Sequence, residues 1–207
     1  MYGKIVFSGI FWSLIFLEVI VAPSFTTDAS AALSDRWKNI RLLAVGTDKR
    51  PPKWKQVRSI EGGILVQDGS PVSPDPLQWK HVAGPSPTEQ QQSDAVIAWI
   101  TAAHLKSNAI SIVDNGVLIG GGMGQVDRVS AARLAVQRAA DSLPCAQSPV
   151  AGSDAFFPFA DGPELLIEAG IRCIVQPGGS KRDSDTIELC DLRGVTLLHT
   201  GTRRFRH

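Results

Sequence analysis

The chain has 207 residues, of which 43% are apolar and 20% charged, and its formal net charge is +1 at neutral pH. That length supports one domain with a real core or two small ones, and the composition is that of an ordinary globular protein. So balanced a charge excludes a broad basic or acidic field for capturing nucleic acid or membrane, and any anion recognition has to be local. Cys145, Cys173 and Cys190 are odd in number and irregularly spaced, which excludes a disulfide scaffold. They are expected to be reduced thiols of a cytoplasmic protein, two of them on a buried strand and a helix.

From Ile5 to Ala22 the chain is almost wholly apolar, with Lys4 before the run and Pro23 after it. It reads either as a signal peptide or short anchor, or as a buried strand over 17–22 that Pro23 ends. Glu18 within the run favours the strand, because a carboxylate in a bilayer costs roughly 2–4 kcal/mol. Thr27 to Trp37 then reads as a helix and Ile40 to Val45 as a strand. Thr47 to Lys55 is a basic, proline-containing loop, read as solvated surface. Ile60 to Asp68 is a short strand region in which Gly62-Gly63 suggests a bulge or a close backbone approach. Gly69 to Pro87, rich in Gly, Ser and Pro, reads as a connector.

Thr88 followed by Gln91 is a capping-box pattern, and Val96, Ile97, Ile100 and Ala103 recur at helical spacing, so residues 88–105 are predicted to be a helix. Ala109 to Val113 and Val117 to Ile119 are predicted strands around the tight turn Asp114-Asn115-Gly116. The glycine-rich loop 120–124 follows. A helix comes next, with Val129, Ala132, Val136, Ala139 and Ala140 on one face, and Pro144 ends it. Asp161 is predicted to cap a helix with Pro163 in its first turn and Gly170 at its end. Ile171 to Val175 reads as a strand, and a helix starting at Asp183 or Ser184 is closed by Gly194. Val195 to His199 is the last predicted strand. Alternating strands and helices imply an α/β layered fold.

Ligands of α/β sheets gather outside the carboxyl ends of the strands. Three segments are expected there: Gly120 to Arg128, Gln176 to Asp183 (QPGGSKRD) and Thr200 to His207 (TGTRRFRH). Each joins glycine, which lets backbone approach a ligand, to Arg or Lys, which grips phosphate or carboxylate. Together they point to an anionic small molecule, although each alone is no more than a strand-to-helix turn. In the string SDAFFPFADG at 153–162, three phenylalanines crowd between aspartates. That arrangement reads as a hydrophobic plug with a helix cap, or as an aromatic wall for a planar heterocycle with a carboxylate to accept ring N–H groups. His81, His104, His199 and His207 lack metal-ligand spacing, and the zinc-deaminase, Walker, nucleophile-elbow and dinucleotide signatures are missing.

These strings also occur together, in order, in one known family. Lys106 to Ile110 (KSNAI), Gly120 to Val129 (GGGMGQVDRV), SDAFFPFADG, QPGGSKRD and the terminal TGTRRFRH resemble AICAR transformylase/IMP cyclohydrolase enzymes. So do FLEVIVAPSF at 16–25, KNIRLL at 38–43 and GGILVQD at 62–68, so the likeness runs over residues 16–207. The resemblance implies a cytidine-deaminase-like α/β fold without zinc. It divides the chain into an apolar N-terminal segment at 1–15, a partial transformylase segment and connector at 16–87, and a C-terminal transformylase subdomain at 88–207. The implied activity is transfer of a formyl group from 10-formyltetrahydrofolate to the amine of AICAR in purine biosynthesis, in a cytoplasmic homodimer that needs neither nucleic acid nor membrane. Asn108 would assist catalysis at the reacting end of AICAR. Arg128, Phe156 and Arg203 would bind the nucleotide, and Val129, Asp161, Ser180 and Lys181 would line the folate side. Gly121 and Met123 depart from the family's usual glycine loop. The family's cyclohydrolase domain, and the first part of its transformylase domain with a catalytic Lys-His pair, are expected to lie outside this sequence. Lys80-His81 imitates that pair only in composition. A fragment that binds ligand or dimerises without turnover is the alternative.

Overall fold

The computed structural model describes residues 17–46, 55–68 and 74–206, and the chain divides into two units, Met1–Ser70 and Pro71–His207. In the first unit β1 (Val19–Ala22) pairs in parallel with β2 (Arg41–Ala44) across α1 (Thr27–Arg36). Thr26 starts α1 by accepting from the N–H of Ala29 at 3.2 Å, and Arg36 in the last turn complements the helix dipole. The strand expected before Pro23 is therefore present. The apolar segment 1–15 lies outside the described residues, and among those described no helix is long and apolar enough to cross a membrane. The loop at 47–54 is likewise outside them.

Residues 60–68 form part of a hairpin rather than a single strand with a bulge. β3 (Lys55–Ile60) pairs antiparallel with β4 (Gly63–Asp68), and Ile60 faces Gly63 across the two-residue turn Glu61-Gly62, where Gly62 takes φ +75°. A side chain at either glycine would meet nothing within 4 Å, so no close approach exists here. The polar run Lys55-Gln56-Val57-Arg58-Ser59 gave no alternation by which β3 could be read. None of the described residues of this unit is buried, and Val21, Val45, Val57 and Ile64 are each well over half exposed.

The second unit is built on a six-stranded mixed sheet in the order β5-β10-β9-β8-β6-β7. Its strands are β5 (Lys80–Ala83), β6 (Ile110–Asp114), β7 (Val117–Gly122), β8 (Val150–Ser153), β9 (Cys173–Gln176) and β10 (Thr196–His199). β8, β9 and β10 run parallel, while β5, β6 and β7 are antiparallel to their neighbours. α2 (Glu89–His104) covers one face, over β6, β8 and β9. α3 (Arg128–Ala139), α4 (Asp161–Glu168) and α5 (Asp183–Arg193) cover the other. Helices on both faces of one sheet make the α/β layering read from the sequence.

Two elements fell in stretches read otherwise. Lys80–Ala83, placed in the connector, is an edge strand paired with β10, and the central strand Val150–Ser153 (VAGS) is too short and small to signal itself. Where turn chemistry was explicit, the agreement is close. The capping box closes at both ends, with Thr88 Oγ1 accepting from Gln91 N at 3.1 Å and Gln91 Oε1 accepting from Thr88 N at 2.9 Å. Asn115 and Gly116 take φ +48° and +78°, the conformation a two-residue hairpin turn demands. The buried Asp94 of α2 accepts from both of their N–H groups, at 2.9 and 2.7 Å. Asp161 is the first residue of α4 instead of its cap, and its carboxylate accepts from the adjacent Gly162 N–H.

The buried face of α2 is rotated from the one expected. Ala95, Ala98, Trp99 and Ala102 are buried together with the expected Ala103, while Val96, Ile97 and Ile100 remain half-buried. Close approach is the reason: a side chain at Gly152 of β8 would come 2.6–2.9 Å from Ala98, so only small residues fit between. The same effect corrects the glycine-rich loop. Gly120, Gly121 and Gly122 belong to β7, and a Cβ at Gly122 would lie 1.9 Å from the carbonyl oxygen of Ala131 in α3. Gly120 and Gly122 seat a helix, and the loop proper begins at Met123.

Gly122→Ala is expected to destabilise the fold by roughly 1–3 kcal/mol, because α3 must move off the sheet. Gly121→Ala, whose nearest new contact is Leu105 Cδ1 at 3.7 Å, should be near neutral; urea unfolding of the pair measures the difference. Burial pushes the Cys173 and Cys190 thiols up to about 12, whereas Cys145 is exposed. A thiol reagent at mildly alkaline pH should therefore modify Cys145 alone until the chain is unfolded; mass spectrometry reads the number of adducts.

Candidate functional site at the carboxyl edge of the sheet

The strand directions determine which segments meet. The carboxyl ends of β8, β9 and β10 share one edge, and the antiparallel pairing of Ile110 with Ser153 and Gly122 brings the start of β6 and the end of β7 to it. The loops 154–160, 177–182 and 200–206, the Ser107-Asn108 segment and the start of α3 therefore converge. All three loops expected there are present, and the phenylalanine string joins them.

Asp154 is the centre of this edge. It is fully buried, and its Oδ1 accepts from Arg128 Nη2 at 2.8 Å and from the N–H of Ala109 at 3.2 Å. Its Oδ2 accepts from the hydroxyl of Ser107, and its backbone C=O accepts from the N–H of Arg204 at 2.7 Å. Arg128 Nε also donates to Ser153 Oγ at 3.2 Å, so the guanidinium is 9% exposed and held on two sides. A guanidinium carries five N–H donors, of which these bonds use two. Asn108 donates through Nδ2 to the C=O of Gln125 at 2.9 Å, so its side-chain oxygen remains as an acceptor.

The C-terminal strap 200–206 is tied across the edge. Ser107 N–H donates to the C=O of Arg206 at 3.0 Å, and Arg206 N–H donates to Ser107 Oγ at 2.8 Å. The strap carries Arg203, whose guanidinium lies 4.5 Å over the ring of the half-buried Phe156, and Arg204, which lies 5.0 Å over Trp99. Phe157 is buried as a plug, while Phe159 is half exposed with Arg182 5.1 Å over its ring.

Beside this network lies a cleft of about 400 Å³ between the start of α3 and the loop leading into α4. Arg128, Val129, Arg133, Phe157, Phe159 and Asp161 are among the residues lining it. Asp127 caps α3 by accepting from Ser130 N–H at 2.6 Å, and this bond holds its carboxyl below the usual range. Val129 and Asp161 are thus together in the cleft with Arg128. Ser180 and Lys181 lie apart from its lining, on the loop after β9, where Ser180 Oγ accepts from Arg182 N–H at 3.2 Å. Among the described residues no three His, Cys, Asp or Glu side chains gather as a metal site requires.

Of the two carboxylates read as partners for a heterocycle, Asp154 is fully committed to protein groups and cannot serve; Asp161 remains exposed. Lys80 and His81 lie on edge strand β5, four strands from β6 and hence on the order of 19 Å from Asn108. Sequence reasoning assigned no role to Ser107, Gln176 or His199, since nothing in their immediate neighbours (Lys106 and Asn108, Val175 and Pro177, Leu198 and Thr200) names a partner. Gln176 is wholly buried between Phe157 N–H and His199.

Residues 11–138 match the family model described as the AICARFT/IMPCHase bienzyme. The chain is also similar to the bifunctional purine biosynthesis protein PurH of Streptococcus suis strain 05ZYH33, with 41% identity over 195 residues. It is 44% identical over 193 residues to the PurH protein of Anoxybacillus flavithermus. Each alignment covers 93% of this chain and 37% of the relative, so the chain spans little more than a third of these relatives' length. The matched model covers well over half of the residues, and the chain belongs to the AICARFT/IMPCHase bienzyme family.

Proposed function

We propose that this sheet edge is the nucleotide- and folate-binding part of an AICAR formyltransferase site, on a cytidine-deaminase-like layered fold, serving cytoplasmic purine biosynthesis. The observation that carries the reading is the convergence of Asn108, Arg128, Phe156 and Arg203 on one edge, in a chain of this family.

In the reaction, the exocyclic amine of AICAR bonds to the formyl carbon of 10-formyltetrahydrofolate, and the bond from that carbon to N10 of the folate breaks. The amine gives up a proton and N10 gains one. Because the amine lone pair is delocalised into the carboxamide-bearing ring, a base has to take the proton as the bond forms. Asn108 holds the reacting end of the nucleotide through its unused side-chain oxygen. Arg128 and Arg203 contact the nucleotide and Phe156 packs on its base. Val129 and Asp161 in the cleft, with Ser180 and Lys181 on the neighbouring loop, form the folate side. The base comes from elsewhere in a family homodimer, since Lys80-His81 is separated from Asn108 by the width of the sheet. That separation also favours a second reading, a chain that binds nucleotide and folate without turning them over.

Arg203→Ala should weaken AICAR binding roughly tenfold while leaving stability nearly unchanged, because Arg203 is exposed and interacts with the face of Phe156. Isothermal titration and thermal unfolding of the two chains measure this, and unchanged affinity in Arg203→Ala would remove the edge as the nucleotide site. Formyl transfer by the purified chain would overturn the binding-only reading.

A further inference from the structure

Gln176, at the carboxyl end of β9, is fully buried between two groups with fixed requirements. Its Oε1 accepts from the N–H of Phe157 at 2.9 Å, and its Nε2 lies 3.1 Å from Nε2 of His199. A backbone N–H only donates, so the amide oxygen must face Phe157 and the amide NH2 must face His199. Nε2 of His199 is therefore the acceptor, and the ring carries its proton on Nδ1. An imidazolium would set N–H against N–H, and turning the amide to suit it would set NH2 against the N–H of Phe157.

We propose that Gln176 and His199 are a positioning pair for the nucleotide site: neutral His199 holds the Gln176 amide in the one orientation that anchors the Phe156–Phe157 peptide, and so sets Phe156 beneath Arg203. This rests on the reading of the sheet edge as the nucleotide site. The anchor is stiff on both sides. The Phe157 ring packs so closely on the start of α4 that a Cβ at Gly162 would lie 2.7 Å from it. The His199 ring is wedged on the loop after β9, where a Cβ at Gly178 would lie 2.4 Å from Nδ1. Among the described residues, the charged groups that face His199 are Asp183 at the start of α5 and Lys80, its register partner in β5. Burial lowers the pKa of His199, against the opposing pull of Asp183. The folded chain thus prefers the neutral ring. The stability this contributes is present above an unfolded pKa of about 6.5 and is lost as the pH falls below it.

The test follows the full chain by NMR from about pH 7.5 to about pH 5, reading the His199 ring and the Phe157 amide, with AICAR affinity measured at both ends. The Phe157 amide shift should track the His199 titration in the free chain and become insensitive to pH in His199→Gln, which keeps a neutral acceptor. AICAR affinity of the wild type should fall roughly five- to tenfold relative to His199→Gln on acidification; the nucleotide's own phosphate titrates equally in both. Gln176→Glu can accept from both the Phe157 N–H and an imidazolium, so its affinity relative to wild type should rise on acidification. A Phe157 amide that ignores His199, or an equal acid loss in His199→Gln, overturns the positioning pair. If the amide tracks His199 but no chain binds AICAR at either pH, the pair stands and the nucleotide reading fails.

Discussion

The edge of the main sheet depends on one buried ion pair. Asp154 and Arg128 sit in contact with almost no solvent; Asp154 also accepts from the Ser107 hydroxyl and the Ala109 N–H, and Arg128 also donates to Ser153 Oγ. Two charges taken out of water gain nothing unless their remaining hydrogen-bonding capacity is met, and for Asp154 both carboxylate oxygens are met. Removing either partner would leave an uncompensated buried charge, at a cost of about 3–5 kcal/mol. The pair is therefore better understood as fixing a geometry than as adding stability. It joins the end of β8, the start of α3 and the turn before β6, and through Ser107 and Arg204 it holds the C-terminal strap as well.

This constraint explains the placement of small residues around it. Arg128 is the first residue of α3, so its reach to Asp154 depends on how deeply α3 sits on β7. Gly120 and Gly122 allow the helix backbone to approach the strand directly, and Ala131 and Ala135 keep the helix side equally thin. On the other face, Gly152 and Ala98 do the same for α2. Packing at backbone distance leaves little play, so the direction of Arg128 is inherited from the sheet.

Much of this was legible in the sequence wherever a local device carried it. The Thr88–Gln91 box, the Asn115-Gly116 turn and the Gly194 helix end each satisfy a specific backbone demand within a few residues, and each was found in place. Glycine-rich strings were recognised but misassigned, because a glycine that admits a ligand and one that admits a helix look alike until the helix is placed. β8 and β5 escaped for the opposite reason: VAGS and KHVA owe their strand conformation to neighbours far along the chain. Among the site residues, Arg128, Val129 and Asp161 come together in the cleft and Phe156 meets Arg203, while the alignment of their loops was implied by strand direction alone. The partners that hold them, Asp154, Ser107 and Gln176, lie within recognised strings, yet no string says which groups they bond. A single polar residue signals only that some partner exists, because that partner lies far along the chain.

The two units differ in what they can hold by themselves. The second has alternating faces closed by helices and a core running from Ala98 to Phe157 on both sides of its sheet. The first, in its described residues, buries nothing: a parallel strand pair, one helix and a hairpin expose Val21, Leu43, Val57 and Ile64. A two-stranded sheet is at best marginally stable in water, and β1 and β2 hold only Ile20, Ala22 and Leu42 half-buried. The candidate edge lies wholly within the second unit and takes its geometry from Asp154. The groups along that edge and the end of the central strand are held by the same buried bonds, those of Asp154 and Arg128.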